Sequence, residues 1–439
     1  MTGYKIARLR GIGYQEAVTA VYKKAPSLAG QSYADQFNTI LSKKLTHAGG
    51  FSDAMGILGN HAVEFFYDCE TLQRTWAQER GLATTGKDWE INVLIAQLRE
   101  YRPDVVLFQD IFSMPAPVRA RIKEIIPEIR LTIIAKGYPG ETRDLSDSDL
   151  LFVSSPVLFE RYSNLNPWLV YHAFDSGILD CLSPKGAEPI LPQSQLSFLG
   201  NCRAPERRYW MLKELLDRTS LQIWGVEEGA RYSRWGMPRN KKQLKKSLRY
   251  YLKHWLSKLG ERSRETLQGL PIPKKIRHII EELKMDSESL GGRDELGDLS
   301  GLNIRRAANQ TLRKVYPGRF HDPVFGIDYY RRIHTSDIVF NLHSDAAGST
   351  VDNMKMFEIT GVGSCLLTNF GSNLAGLFEE DKEVVTYRTV EEALEKIHYL
   401  IDNPRACSEI AQAGQVRTLR DHTVSARCEQ IDEIIREKL

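Results

Sequence analysis

No apolar run in these 439 residues approaches the roughly 20 that cross a bilayer as a helix. The opening stretch, MTGYKIARLRGIGYQ, lacks the apolar segment of a secretory signal, so a cytoplasmic protein is expected. Cysteine is scarce. Cys69, Cys181, Cys202, Cys365, Cys407 and Cys428 include no C-x-x-C pair, which argues against a metal cage or a disulfide framework. The 32 Gly and 18 Pro follow no period, which excludes collagen-like material. A large excess of one charge is missing too, the formal balance being only +3. That balance conceals an asymmetry: residues 231–320 hold 22 Lys and Arg against 9 Asp and Glu, and the remainder is acidic.

What is present is a 42% hydrophobic, 9% aromatic chain, which excludes disorder and is long enough for two or three cored domains. Short apolar runs alternate with helical patterns, as in parallel sheets with crossover helices. Strands are expected at 104–108, 131–134, 150–153 and 168–171, then at 196–199, 221–224, 338–342, 364–368 and 384–387. Each run is short, bounded by polar residues and too apolar for a half-exposed strand. The Pro-rich stretch 183–193 reads as a linker. Two tandem α/β domains follow from this, with helices at 391–403 and at the C-terminal end.

In open α/β sheets, ligands bind beyond the carboxyl ends of the strands. The residues there are Gln109 and Asp110, Lys136 and Gly137, His172, Asn201 and Arg207, and His343. After His343 come a Gly348-Ser349-Thr350 turn and a helix beginning near Asp352 and Asn353. Such a turn offers backbone N–H groups and a positive helix end to a phosphate. Lys355 and Arg207 add charge to it, and Glu358 lies where a carboxylate accepts hydrogen bonds from ribose hydroxyls. Taken singly, each also has a plain structural reading as a capping turn, a core histidine or a solvated helix residue.

Residues 338–370, IVFNLHSDAAGSTVDNMKMFEITGVGSCLLTNF, resemble the donor-binding stretch of bacterial CgeB-like glycosyltransferases, relatives of the group-1 nucleotide-sugar transferases. The resemblance continues through EVVTYRTV at 383–390 and IAQAGQVRTLRDHT at 410–423. Upstream it includes LQRTWAQERGL at 72–82, YRPDVVLFQD at 101–110, VSSP at 153–156, HAFD at 172–175 and LSFLGNCRAPERR at 196–208. It implies a GT-B fold, two Rossmann-like domains facing a cleft, and a cytoplasmic enzyme of polysaccharide or cell-envelope glycosylation. The expected N-terminal, acceptor-side domain is 1–185, the nucleotide-sugar domain 190–414, and the helix at 415–439 returns to the first domain.

The same resemblance matches Glu358 to the ribose-holding glutamate, brings Arg207 near the basic residue that meets the diphosphate, and sets Phe325 and Gly326 beside the base. It implies a nucleoside-diphosphate sugar as donor and no bound metal, the diphosphate being neutralised by a helix end and basic side chains. Two positions depart from the pattern. Thr350 stands where group-1 enzymes carry a sugar-contacting glutamate, and Lys136-Gly137 replaces a histidine of the first domain. Donor sugar and retention or inversion therefore stay open. An inverting enzyme needs a general base, for which Asp110, His172 and Asp53 are the candidates. A catalytically degenerate nucleotide- or glycan-binding scaffold and a sugar-nucleotide epimerase are the alternatives.

The basic segment reads as a helical insertion at 234–318. Its stripe of Leu244, Leu248, Tyr251, Leu252, Trp255, Leu256 and Leu259 suits a helix packed on the second domain, its charges solvated. The second reading is an anionic membrane surface touched through residues 239–259, fitting a lipid-linked acceptor; a glycan or a protein acceptor is also compatible. Nucleic acid is not expected, because no recognised module accompanies the charge.

Overall fold

The computed structural model describes residues 3–439 except 13–14, 46–49, 87, 110–113, 140–142, 183–193, 203–205 and 228–310. The expected linker at 183–193, most of the basic insertion and the proposed membrane stripe at 239–259 therefore lie outside the described residues. Two six-stranded sheets organise the rest. The first has the order β2-β1-β3-β4-β5-β6, from β1 (Lys5–Arg10), β2 (His61–Phe66), β3 (Val105–Phe108), β4 (Leu131–Lys136), β5 (Leu150–Val153) and β6 (Trp168–Leu169). The second has the order β12-β11-β10-β7-β8-β9, from β7 (Ser194–Asn201), β8 (Gln222–Val226), β9 (Phe320–His321), β10 (Ser336–Asn341), β11 (Cys365–Asn369) and β12 (Val385–Tyr387). Every pairing is parallel.

Each sheet changes direction of strand order at one place, beside β1 in the first and beside β7 in the second. Those are the points where flanking loops diverge and leave a crevice at the carboxyl ends. The apolar runs read from the sequence are strands, but β1, β2 and β9 are additional. Arg8, Arg10 and Glu64 interrupt the apolar pattern of β1 and β2, yet all three side chains are buried. At the other end of the basic segment, Leu312 belongs to the core of the second sheet with Phe198, Leu212 and Phe320. Glu227 caps the short helix Leu312–Val315 by accepting the N–H groups of Leu312 and Arg313. Residues 311–318 are thus part of the second domain and not of an insertion.

The helical region expected at 415–439 is broken at His422 and Thr423. One helix runs Pro404–Asp421; the next, Val424–Lys438, starts on the Thr423 hydroxyl, which accepts Ala426 N–H at 3.2 Å. The second helix lies on the first sheet, where Cys428, Ile431, Ile434 and Ile435 pack with Ile6, Phe51 and Met55. Burial of each such aliphatic side chain is worth about 1.5–3 kcal/mol. Asp432 fixes the seating, accepting from Tyr4 Oη at 2.8 Å and Asn60 Nδ2 at 2.7 Å.

The HAFD stretch is the other crossing. Phe174 N–H donates to His422 O and Val424 N–H donates to Phe174 O, both at 2.9 Å. The Phe174 ring lies directly on Gly361, where any Cβ would collide with it. Asp175 accepts from Lys44 Nζ at 2.7 Å.

Candidate functional site

The second domain's crevice is built by the loops after β7 and β10. His343 follows β10 and is buried, with Nδ1 2.9 Å from Asn369 Oδ1 and Nε2 accepting the N–H groups of Asp352 and Asn353 at 3.1 and 3.2 Å. Burial holds its imidazole down at about 4, so it is neutral at pH 7, with Nδ1 carrying the proton toward Asn369. Its role is to fasten the start of the helix Met354–Gly361.

That fastening corrects the expected phosphate cradle at Gly348-Ser349-Thr350. The N–H groups of Gly348 and Thr350 are bonded to Asp345 O and Ala347 O, and Val351 N–H to Asn373 Oδ1. With Asp352 and Asn353 held by His343, little of the turn is left for a ligand. Ser349 is exposed, and its carbonyl accepts Ser372 N–H. The open donors are one step further along. Asn353 caps Met356 N–H at 3.3 Å, and the N–H groups of Met354 and Lys355 have no hydrogen-bond partner among the described residues. They sit at the positive end of the helix macrodipole.

Three charged side chains surround that helix end. Lys355 lies 5.0 Å from the Phe198 ring centroid and donates to Leu199 O. It gains that room because Gly200, at φ +141°, carries no Cβ. Burial and the neighbouring Arg208 guanidinium push its ammonium down to about 8, against the pull of Glu358. Arg208 donates to Asn201 O at 3.1 Å and Leu342 O at 2.9 Å, bridging the loops after β7 and β10. Arg207, the arginine singled out from sequence, is half-exposed and 4.0 Å from Asp345. Arg208 is the more enclosed of the two, and only the register of the helix that carries both decides this.

Glu358 is buried in the second turn of the helix. Its oxygens accept from Tyr329 Oη at 2.8 Å and Tyr330 Oη at 3.2 Å. Phe325 and Gly326 begin the segment that supplies those tyrosines. Gly326 needs its φ of +60° and its missing Cβ to pass Lys43 O, which accepts Ile327 N–H at 3.1 Å. Phe325 packs against the first-domain cluster of Leu45, Phe66 and Leu72.

Across from the helix start, the first sheet ends in a cavity of about 140 Å³ lined by Arg8, Arg10, Lys136, His172 and Arg427, with Met354 on its far side. Lys136 and His172 thus come together with the helix end. Asp53 does not. It is exposed on the helix Gly50–Ile57, whose Phe51 lines the cavity instead. Asp110 lies outside the described residues. Arg8 and Arg10 were not marked by the sequence, although two arginines alternating within KIARLR are costly to bury without a reason.

Residues 292–433 match the model of a glycosyl transferase-like family. No curated protein matches the chain by sequence. Among solved structures, Anabaena HepE in complex with UDP-glucose is similar with a TM-score of 0.51 at 10% identity, over 99% of this chain and 100% of that one. A glycosyltransferase from Rickettsia africae is similar at 10% identity over 100% of this chain and 99% of its own, with a TM-score of 0.49. The chain has the GT-B fold of two parallel-sheet Rossmann-like domains, and the match over residues 292–433 supports a glycosyltransferase.

Proposed function

We propose that this chain transfers a sugar from a nucleoside-diphosphate donor to an acceptor in surface-polysaccharide or cell-envelope glycosylation. The observation that carries the reading is the buried Glu358 carboxylate, held by two tyrosines behind a helix end with open N–H groups and the Lys355 ammonium. A carboxylate so placed suits the vicinal hydroxyls of a ribose, and the helix end with Lys355 and Arg208 suits the diphosphate. Breaking the anomeric C–O bond leaves charge on that diphosphate. Donors already oriented in a dry site stabilise it without reorganisation, so the reaction needs no bound metal. HepE, similar in fold, is in complex with UDP-glucose, which makes UDP the first nucleotide to try.

Attack requires the acceptor hydroxyl to lose its proton. His172, lining the cavity, and Asp110 are the candidate bases for an inverting reaction; in a retaining one the leaving diphosphate can take the proton. Thermal-shift titration with UDP, GDP and dTDP tests the donor site. One nucleotide is expected to stabilise the protein, and Glu358→Ala to remove that effect. Stabilisation by none of them, or its persistence in Glu358→Ala, overturns the assignment.

A binding scaffold is the second reading. Thr350 is buried where group-1 enzymes carry the sugar-contacting glutamate, and its hydroxyl is engaged by Ala347 O at 2.9 Å. Release of nucleoside diphosphate on adding acceptor selects the transferase.

A further inference from the structure

The cavity at the end of the first sheet has a charge imbalance that the donor reading does not use. Arg8 and Arg10 project from the same face of β1, two residues apart. Both are buried, Arg10 to 6% exposure. Glu64, on the neighbouring β2, stands between them, 3.6 Å from Arg8 Nη1 and 3.7 Å from Arg10 Nη1. Those separations are ion-pair contacts longer than hydrogen bonds. The Nε and Nη1 atoms of Arg10 have no hydrogen-bond partner among the described residues.

Lys136, 2% exposed at the end of β4, adds a third cation. Arg427 adds a fourth at longer range, its guanidinium directed to Tyr171 O and His422 Nδ1. No Asp or Glu lines the cavity among the described residues. Burial, with Arg8 beside it, drives the Arg10 guanidinium down to about 10 against the pull of Glu64 and Asp68. Burying the Arg10 guanidinium with two of its nitrogens left without hydrogen bonds from the described residues is unfavourable. An incoming oxyanion reverses that cost.

We propose that this cavity receives an oxyanion carried by the acceptor, a phosphate or carboxylate on a sugar. The acceptor is then an anionic saccharide, not a neutral one. Its anionic group is anchored by Arg10, Arg8 and Lys136 while a hydroxyl faces Met354 and the helix end. Guanidinium groups suit either oxyanion, because both present paired oxygens to a planar fork. That the guest is the acceptor rests on the glycosyltransferase reading; that the site takes an anion does not.

The test is calorimetric titration of the full-length protein with methyl phosphate and with methyl glucuronoside, in low-chloride buffer. Each is titrated with and without whichever of UDP, GDP or dTDP binds. At least one of the two anions is expected to bind in the presence of nucleotide, and methyl glucoside is not. Arg10→Gln is expected to weaken the anion at least about tenfold while leaving nucleotide affinity within about twofold. Should Arg10→Gln fail to fold, Lys136→Gln replaces it under the same criteria.

Several results overturn the proposal: neither anion binds, nucleotide displaces the anion, or the substitution leaves its affinity unchanged. Displacement would assign the cations to the donor's diphosphate. If no nucleotide binds, the donor reading fails, and the nucleotide-free titration still decides the anion site. Preference for methyl phosphate or for methyl glucuronoside distinguishes the two sources of the charge.

Discussion

The first strands of the two sheets, β1 and β7, each stand where the strand order reverses, and they end differently. β1 closes on Arg10, whose side chain fills the crevice with charge from within the sheet. β7 closes on Gly200 and Asn201, which leaves space that Lys355 enters from a neighbouring helix. In the first arrangement the Glu64 carboxylate stands between two guanidiniums. In the second, a cation and a carboxylate come from one helix whose own end supplies donors. A parallel sheet therefore prescribes where a ligand sits, while the residue at the strand's end decides which chemistry is offered there.

The comparison breaks most sharply at Lys355. Lys355→Met removes a cation from the proposed leaving group and is expected to lower turnover about 10²–10³-fold. Anion binding at the first sheet should stay unchanged, as single-turnover assays beside the methyl phosphate titration would read. A loss in both would show one continuous site. Acid should distinguish the two crevices next. The His343 imidazole sits at about 4 against about 6.5 unfolded, so the unfolded chain binds the extra proton. Stability is then lost as pH falls from about 6.5 toward 4, by on the order of 3 kcal/mol. Protonation removes the acceptor of the Asp352 and Asn353 N–H groups, so the helix start loosens. Urea unfolding at pH 7 and 4.5 measures this, and His343→Gln should lessen the difference, the remainder including His422, whose imidazole burial also holds at about 4.

Gly361→Ala concerns the contact between the halves, and no smaller substitution exists. Its Cβ meets the Phe174 ring, and overpacking of this kind costs about 1–3 kcal/mol; thermal unfolding would show a lower midpoint. Asp53→Asn should do least, within about 0.5 kcal/mol in stability and with little change in turnover, because Asp53 is exposed beside the cavity-lining Phe51. A large loss of activity there would move the catalytic centre.

The second domain was the more legible half. All its strands but the two-residue Phe320–His321 hold an apolar run, and Glu358 and Lys355 stand four and one residues past a residue, Met354, that begins a well-marked helix. Local spacing fixes such positions. The Gly-Ser-Thr turn misleads because Asp345 O and Ala347 O take the N–H groups of Gly348 and Thr350, and the N–H groups just after it, of Val351, Asp352 and Asn353, go to Asn373 and His343 through tertiary contacts that spacing does not encode. Arg208 over Arg207 was likewise a matter of rotation about a helix axis. In the first domain, β1 and β2 stayed hidden because charged residues in a strand contradict the buried-run rule unless a cavity receives them. The cue was the pairing of two alternating arginines with one glutamate, which sequence distance scatters over 56 residues between Arg8 and Glu64.

The helix Val424–Lys438 closes a face of the sheet whose first strand is Lys5–Arg10. On the ribosome, that face stays open while more than four hundred residues are synthesised. The amino-terminal half cannot finish folding as its own unit, unlike domains that complete in order of emergence. Ile6, Val105 and Ile133 lack the cover of Ile431, Ile434 and Ile435 until that helix emerges. Ribosome-stalled chains lacking 424–438 should accordingly be protease-sensitive in the first half, a vulnerability of elongation and not of the finished protein.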